Sequence, residues 1–140
     1  EGQLSSVKEN EGLKLMRSVI ARNEDKVVYI QIGATWCPAT RYETSYQTEM
    51  AEAYKGQPIR IVNFYLDNGS DGTNPFATNI ETYHLTDEQR LGLDPILHTG
   101  RGIPFYILID KDGVIVDFGE HLRPSSAETR ATIGKYISKD

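Results

Sequence analysis

Val27-Val28-Tyr29-Ile30-Gln31-Ile32-Gly33-Ala34-Thr35-Trp36-Cys37-Pro38-Ala39-Thr40-Arg41-Tyr42-Glu43 is the stretch that decides how this chain is read. Its first six residues are almost unbroken apolar, the mark of a strand covered on both faces in a parallel sheet. Pro38 suits the first turn of a helix, where its missing N–H costs nothing. The only cysteine in 140 residues therefore falls between a strand exit and a helix entrance. A thiol placed there meets the positive end of a helix dipole, which favours thiolate over thiol. The helix is expected over 40–55, with Tyr42, Tyr46, Met50, Ala53 and Tyr54 on one side, until Gly56-Gln57-Pro58 stops it.

Upstream, apolar residues at Val7, Leu13, Leu15, Met16, Val19 and Ile20 predict a helix over 4–21, ended by Asn23-Glu24-Asp25-Lys26. Downstream, 59–66 predicts a second strand, and 67–79, with Gly69, Gly72 and Pro75, a polar loop. Ile80 to Leu85 reads as a short strand. Thr86-Asp87-Glu88-Gln89 has the form of a capping box, Thr86 as cap with Gln89 reaching back. Gly92 and Pro95 predict that this helix is brief. Pro104 to Ile109 is a third strong strand, and Lys111-Asp112-Gly113 turns it into a hairpin with 114–118. Ser125 or Ser126 can cap a last helix running through Ile133 and Ile137 to Lys139. This order predicts an α/β fold, a mixed central sheet with helices on both faces.

Apolar residues make up 39 % of the chain and charged residues 25 %, the proportions of an ordinary soluble globular protein. Residues 1–140 are the length of one domain with a single core, and the segment 67–100 reads as an insert between its halves. A net charge of −5 without any Lys/Arg cluster argues against a nucleic-acid surface. No apolar run reaches the ~20 residues of a membrane span, so membrane attachment would need a missing upstream anchor. No signal peptide is visible, and the start at Glu1 predicts a processed product or an excised domain. A single cysteine forbids an intramolecular disulfide and leaves the compartment unread.

Three separated features converge on one family. Trp36-Cys37 sits at the strand exit, Gly102-Ile103-Pro104 opens the third strand, and Ile107-Leu108-Ile109-Asp110-Lys111-Asp112-Gly113-Val114-Ile115-Val116 forms the hairpin. Together they resemble the thioredoxin superfamily, in particular its exported TlpA/ResA-like thiol-disulfide oxidoreductases. Arg123-Pro124-Ser125-Ser126 resembles forms of that branch common in Bacteroidetes. The resemblance spans about residues 4–139 and implies a thioredoxin-like fold and a periplasmic or otherwise extracytoplasmic location. It implies that Cys37 is the attacking cysteine and that Pro104 is a cis proline beside it. It further implies that Glu43 relays protons, that Trp36 covers the site, and that Pro38 and Ile103 border the substrate. No metal or organic cofactor is implied.

The departures from the family pattern shape the chemistry. Thr40 stands where the second cysteine belongs, Pro38-Ala39 replaces the usual pair between the cysteines, and Gln31 occupies the position of a buried acid. A threonine hydroxyl does not cleave disulfides, so an exchange begun by Cys37 would need an external thiol to finish it. The expected partners are protein thiols or disulfides, or a small thiol, with Thr40 donating a hydrogen bond to the Cys37 thiolate. The alternative is a peptide-binding module of the same fold without redox turnover. Glu43 also reads more plainly as a solvated charge, which would oppose the dipole at Cys37. His84, His98 and His121 lack ligand spacing and do not favour a cysteine hydrolase or a metal site. Arg41 and Arg101 could steer an acidic partner. Asp67-Asn68-Gly69-Ser70-Asp71-Gly72 superficially resembles a calcium loop but lacks its terminal bidentate glutamate, and reads as a turn-rich connection.

Overall fold

A computed structural model of the chain describes residues 9–67, 80–97 and 102–139. Its elements are α1 (Glu11–Arg22), β1 (Val27–Gly33), α2 (Pro38–Ala53), β2 (Ile59–Tyr65), β3 (Glu81–His84), α3 (Asp87–Leu97), β4 (Phe105–Ile109), β5 (Ile115–Gly119) and α4 (Ala127–Ile137). A single 3-10 turn, Glu120–Leu122, joins β5 to the approach to α4.

The strands form one five-stranded sheet in the order β3-β2-β1-β4-β5. β1 runs parallel to β2, and β2 to β3; β4 runs antiparallel to both β1 and β5. The mixed sheet follows from the connections. A helix carries the chain from β1 to β2 and returns it parallel, whereas the Asp110–Gly113 turn can only return it antiparallel. Central β1 is buried at all seven positions, as its apolar run predicts.

Alternation along the strands divides the core. Val28, Ile30 and Ile32 point to one face, where they meet Leu13, Met16 and Val19 of α1 and Leu93 of α3. Val27 and Tyr29 point to the other, with Met50 of α2, Leu122 and Ile133 of α4. Helices thus cover both faces, as the strand and helix order requires.

Several boundaries differ from the sequence reading. α1 begins at Glu11, where the Asn10 side chain accepts from Leu13 N–H; residues 4–8 of the expected helix lie outside the described residues, as do 68–79 of the expected loop. α2 opens at Pro38, in the first turn as its sequence suits, and ends at Ala53, two residues short of the expected 55. The predicted capping box of α3 is present, Gln89 N–H donating to Thr86 Oγ1 and Thr86 N–H to Gln89 Oε1. α3 nevertheless continues for 11 residues through Pro95. A proline in a helix interior removes an N–H and crowds the carbonyls before it. The carbonyl that loses its donor is that of Leu91; at the next residue, Asn10 Nδ2 donates to the Gly92 carbonyl and ties this turn to the start of α1.

The larger correction concerns the face α2 buries. Tyr42 is exposed and the buried stripe is Thr40, Glu43, Thr44, Gln47 and Met50, mostly polar. The sheet beneath explains it. Register sets Gln31 of β1 opposite Asn63 of β2 and Tyr106 of β4, all facing α2. Gln31 Nε2 donates to Asn63 Oδ1 and Thr44 Oγ1 (both 3.0 Å), and Tyr106 O–H donates to Gln31 Oε1 (2.7 Å). Thr44 O–H in turn donates to the Thr40 carbonyl. Buried amides need hydrogen-bonding neighbours, and α2 supplies one.

Candidate functional site

β1 delivers its last residue, Gly33, at the C-terminal edge of the sheet, and α2 begins five residues later. Cys37 is the N-cap residue of α2, with extended backbone (φ −82°, ψ 118°), immediately ahead of Pro38. Its N–H donates to the Ala34 carbonyl, and its own carbonyl accepts from Arg41 N–H. Cys37 is 9 % exposed, the neighbouring Trp36 67 %. The sulfur is sheltered in the turn while the indole beside it faces solvent.

Thr40 lies one turn into α2 and is buried. Its Oγ1 accepts from Ala34 N–H at 3.3 Å, and its side chain packs so closely on Gly33 that a Cβ there would sit 2.5 Å from the Thr40 methyl. Among the described residues no hydrogen bond joins Thr40 Oγ1 to Cys37. The expected partner of the hydroxyl is therefore replaced by the backbone of the β1–α2 turn, whose N–H has left the sheet and lacks a strand partner.

Glu43 is not a solvated charge. It is buried, its Oε1 accepting from Ser125 N–H (2.9 Å) and its Oε2 from Ser125 O–H (2.7 Å). Ser126 is the N-cap residue of α4 but makes no side-chain cap bond. The carboxylate from α2 instead meets the α4 entrance, where unpaired N–H groups favour negative charge. Neither serine caps with its own hydroxyl in the expected way, because that of Ser125 is turned to Glu43.

The Ile103–Pro104 peptide bond is cis, and the two residues precede β4. They meet Ala39, Tyr42 and Glu43 of α2, with Tyr106 and Arg123, around a groove of about 370 Å³. The fold thus gathers Glu43, Ile103 and Pro104 in one groove, with Trp36, Cys37 and Pro38 at the start of the same helix. His121 pairs with Asp117 and His84 lies over Tyr65, so neither histidine joins the groove. His98, Arg101 and residues 68–72 lie outside the described residues.

Two tyrosines escape a sequence reading of the site. Burial holds the Tyr106 hydroxyl far above its ordinary range; Glu43 adds to the shift and Arg123 opposes it. Burial likewise raises Tyr29, reinforced by Tyr106, Glu43 and Tyr54. Their rings stack at 5.6 Å, and Tyr29 O–H donates to the Leu122 carbonyl. Both are hydrogen-bond donors in the core, and Tyr106 lines the groove. The signal in sequence was the alternation in β4, which assigns Tyr106 to the same face as Gln31 only once register is known.

Among the described residues no group of histidines, cysteines and carboxylates could hold a metal, and no helix is long and apolar enough to cross a membrane.

No family model and no curated protein matches the sequence. Solved structures do. A crystal structure of a candidate thiol-disulfide oxidoreductase from Bacteroides vulgatus matches with TM-score 0.68 at 29 % identity, covering 83 % of this chain and 82 % of that one. A solution structure of a candidate thiol-disulfide oxidoreductase from the same organism gives 0.68 at 30 % identity, covering 83 % and 76 %. A thioredoxin-family thiol:disulfide interchange protein from Chlorobium tepidum gives 0.69 at 18 % identity, covering 84 % of each chain, a likeness of fold alone. The fold is therefore that of the thioredoxin-like proteins. Within that class, the identity to the Bacteroides structures over most of both chains places this chain in the thiol-disulfide oxidoreductase family.

Proposed function

We propose that this protein is a thiol-disulfide oxidoreductase-like protein that exchanges thiols through Cys37 alone. The observation that carries the reading is Cys37 at the N-cap of a 16-residue helix, beside an exposed Trp36, in a chain with no second sulfhydryl. The Cys37 thiolate attacks one sulfur of a partner disulfide, forming a mixed disulfide and expelling the other sulfur as thiolate. An external thiolate then attacks the partner sulfur of that bond, forms a new disulfide and returns Cys37 as thiolate. Electrons balance without any cofactor, and the external thiol performs what a second active-site cysteine otherwise does.

The groove beside Pro104 would seat an extended segment of a protein partner, with Ile103, Pro38 and Trp36 as its apolar borders. Glu43 and Tyr106 line that groove from below. An extracytoplasmic location, which the sequence resemblance implies, and a single domain over 1–140 belong to this proposal.

The test compares the native chain with Cys37→Ser and Thr40→Cys. Incubated with oxidised glutathione, the native chain should gain one glutathione adduct by mass and lose it to free thiol, whereas Cys37→Ser should gain none. Thr40→Cys should form an internal disulfide and raise the turnover of insulin reduction by roughly tenfold or more. No adduct on the native chain and no turnover in Thr40→Cys would sink the exchange reading. The second reading, a binding module without turnover, is favoured by Thr40 itself, whose hydroxyl serves the backbone.

A further inference from the structure

The turn between β1 and α2 is held by two side chains that approach it from opposite sides. Gly33 is the last paired residue of β1, so Ala34 and Thr35 carry N–H groups beyond the sheet. Thr40 Oγ1 takes the first, from Ala34. The second goes to a residue 32 positions away. Asp67 Oδ1 accepts from Thr35 N–H at 2.9 Å, and Oδ2 accepts from Thr35 O–H at 2.5 Å. One carboxylate thus takes both donors of a single residue, a two-point, charge-assisted contact that fixes orientation as well as distance.

Asp67 is itself well placed to do this. It follows β2 by two residues, and Leu66 N–H between them donates to the Gly33 carbonyl, which extends the β1–β2 ladder by one bond. On its other side, His84 Nδ1 lies 3.3 Å from the Asp67 carbonyl while its ring packs on Tyr65. The carboxylate therefore projects from backbone anchored to β1 and β3. Directly after Thr35 come Trp36 and Cys37, whose own side chains make no hydrogen bond among the described residues.

We propose that Asp67 is the positioning residue of the Cys37 turn, setting through Thr35 where the sulfur and the Trp36 ring stand. In a site without a second cysteine, no disulfide ever clamps this turn, and Asp67 with Thr40 takes that part permanently. The benefit to an incoming disulfide rests on the exchange reading above; the holding of the turn does not.

The experiment uses the full chain as native protein, Asp67→Ala, Asp67→Asn and Thr35→Val. Two readouts are needed: the rate of Cys37 alkylation by iodoacetamide, and the fluorescence anisotropy of Trp36, the single tryptophan. Neither depends on turnover. Asp67→Ala should speed alkylation roughly fivefold or more by opening the turn and should lower the anisotropy. Asp67→Asn keeps an acceptor for Thr35 N–H and offers its amide to Thr35 Oγ1, so it should stay within about twofold of native. Thr35→Val, losing one bond of two, should fall between. Native rate and anisotropy in a folded Asp67→Ala would overturn the proposal, as would failure of Asp67→Asn to recover them. Should Asp67→Ala not fold, Thr35→Val against native decides by the same two readouts. A native chain that alkylates normally yet takes no glutathione overturns the exchange reading and leaves the positioning role standing.

Discussion

Glu43 and Thr40 show how far a residue's role depends on what meets it. Both were singled out for chemistry at Cys37, and both are spent on backbone or on neighbouring elements. Glu43 spans α2 and the α4 entrance through Ser125, and a hydrogen bond to a charged group contributes about 1.5–3 kcal/mol. Glu43→Ala should therefore lower unfolding stability by about 2–3 kcal/mol, read as a fall in the urea midpoint at constant slope. Glu43→Gln retains an acceptor and should cost less than half as much. If Glu43 served only to relay protons, Glu43→Gln would slow exchange at Cys37 with stability intact, and Glu43→Ala would unfold no more easily than the native chain. Sequence placed Glu43 one turn beyond Thr40, but Ser125, 82 residues on, is a neighbour only in the folded chain.

At the scale of elements, α1 and α3 touch through two glycines and an asparagine. A Cβ on Gly92 would lie 2.0 Å from Asn10 Oδ1, and one on Gly12 would lie 2.3 Å from the Gln89 carbonyl. Asn10 meanwhile caps α1 and donates to the Gly92 carbonyl. Gly92 weakens the helix by propensity yet permits the close contact with Asn10. Gly92→Ala should accordingly destabilise the protein by about 1–3 kcal/mol, although alanine is the better helix former. A thermal melt settles the sign: an unchanged or higher midpoint would show that the helices separate at no cost. The capping box at Thr86 was legible because its partners are three residues apart. The contact between α1 and α3 was not, because Asn10 lies 82 positions from Gly92.

Across the whole molecule the two faces of the sheet differ in chemistry. The α1 and α3 face is built around a cluster of apolar side chains, whereas the α2 and α4 face also buries Gln31, Asn63 and the hydroxyls of Tyr29 and Tyr106. The two tyrosines have folded-state pKa values raised above the ordinary 10.0, chiefly by burial. The folded state then holds protons that the unfolded chain releases, so their contribution is complete below pH ~10 and is lost as pH climbs above it. Stability should be flat from pH 7 to 9 and fall steeply beyond pH ~10. Tyr106→Phe should be less stable at neutral pH, with Gln31 Oε1 left unpaired, and should show a shallower alkaline decline. Equal slopes for the two proteins between pH 10 and 11.5 would remove Tyr106 from this account.

The sequence by itself determined the elements and the class of fold. An almost unbroken apolar run of six, rich in β-branched residues, favours a strand covered on both faces, a proline after Cys37 can open a helix, and a three-residue turn can only return a strand antiparallel. Each of those is a local constraint, written within a few residues. It also determined the limit on the chemistry, since one sulfhydryl cannot close a disulfide within its own chain. Tertiary structure alone decided which face α2 buries, what Glu43 binds, and that Asp67 reaches Thr35. Those contacts depend on strand register and on pairs more than 30 positions apart, where each polar group takes whichever partner the packed sheet brings within reach.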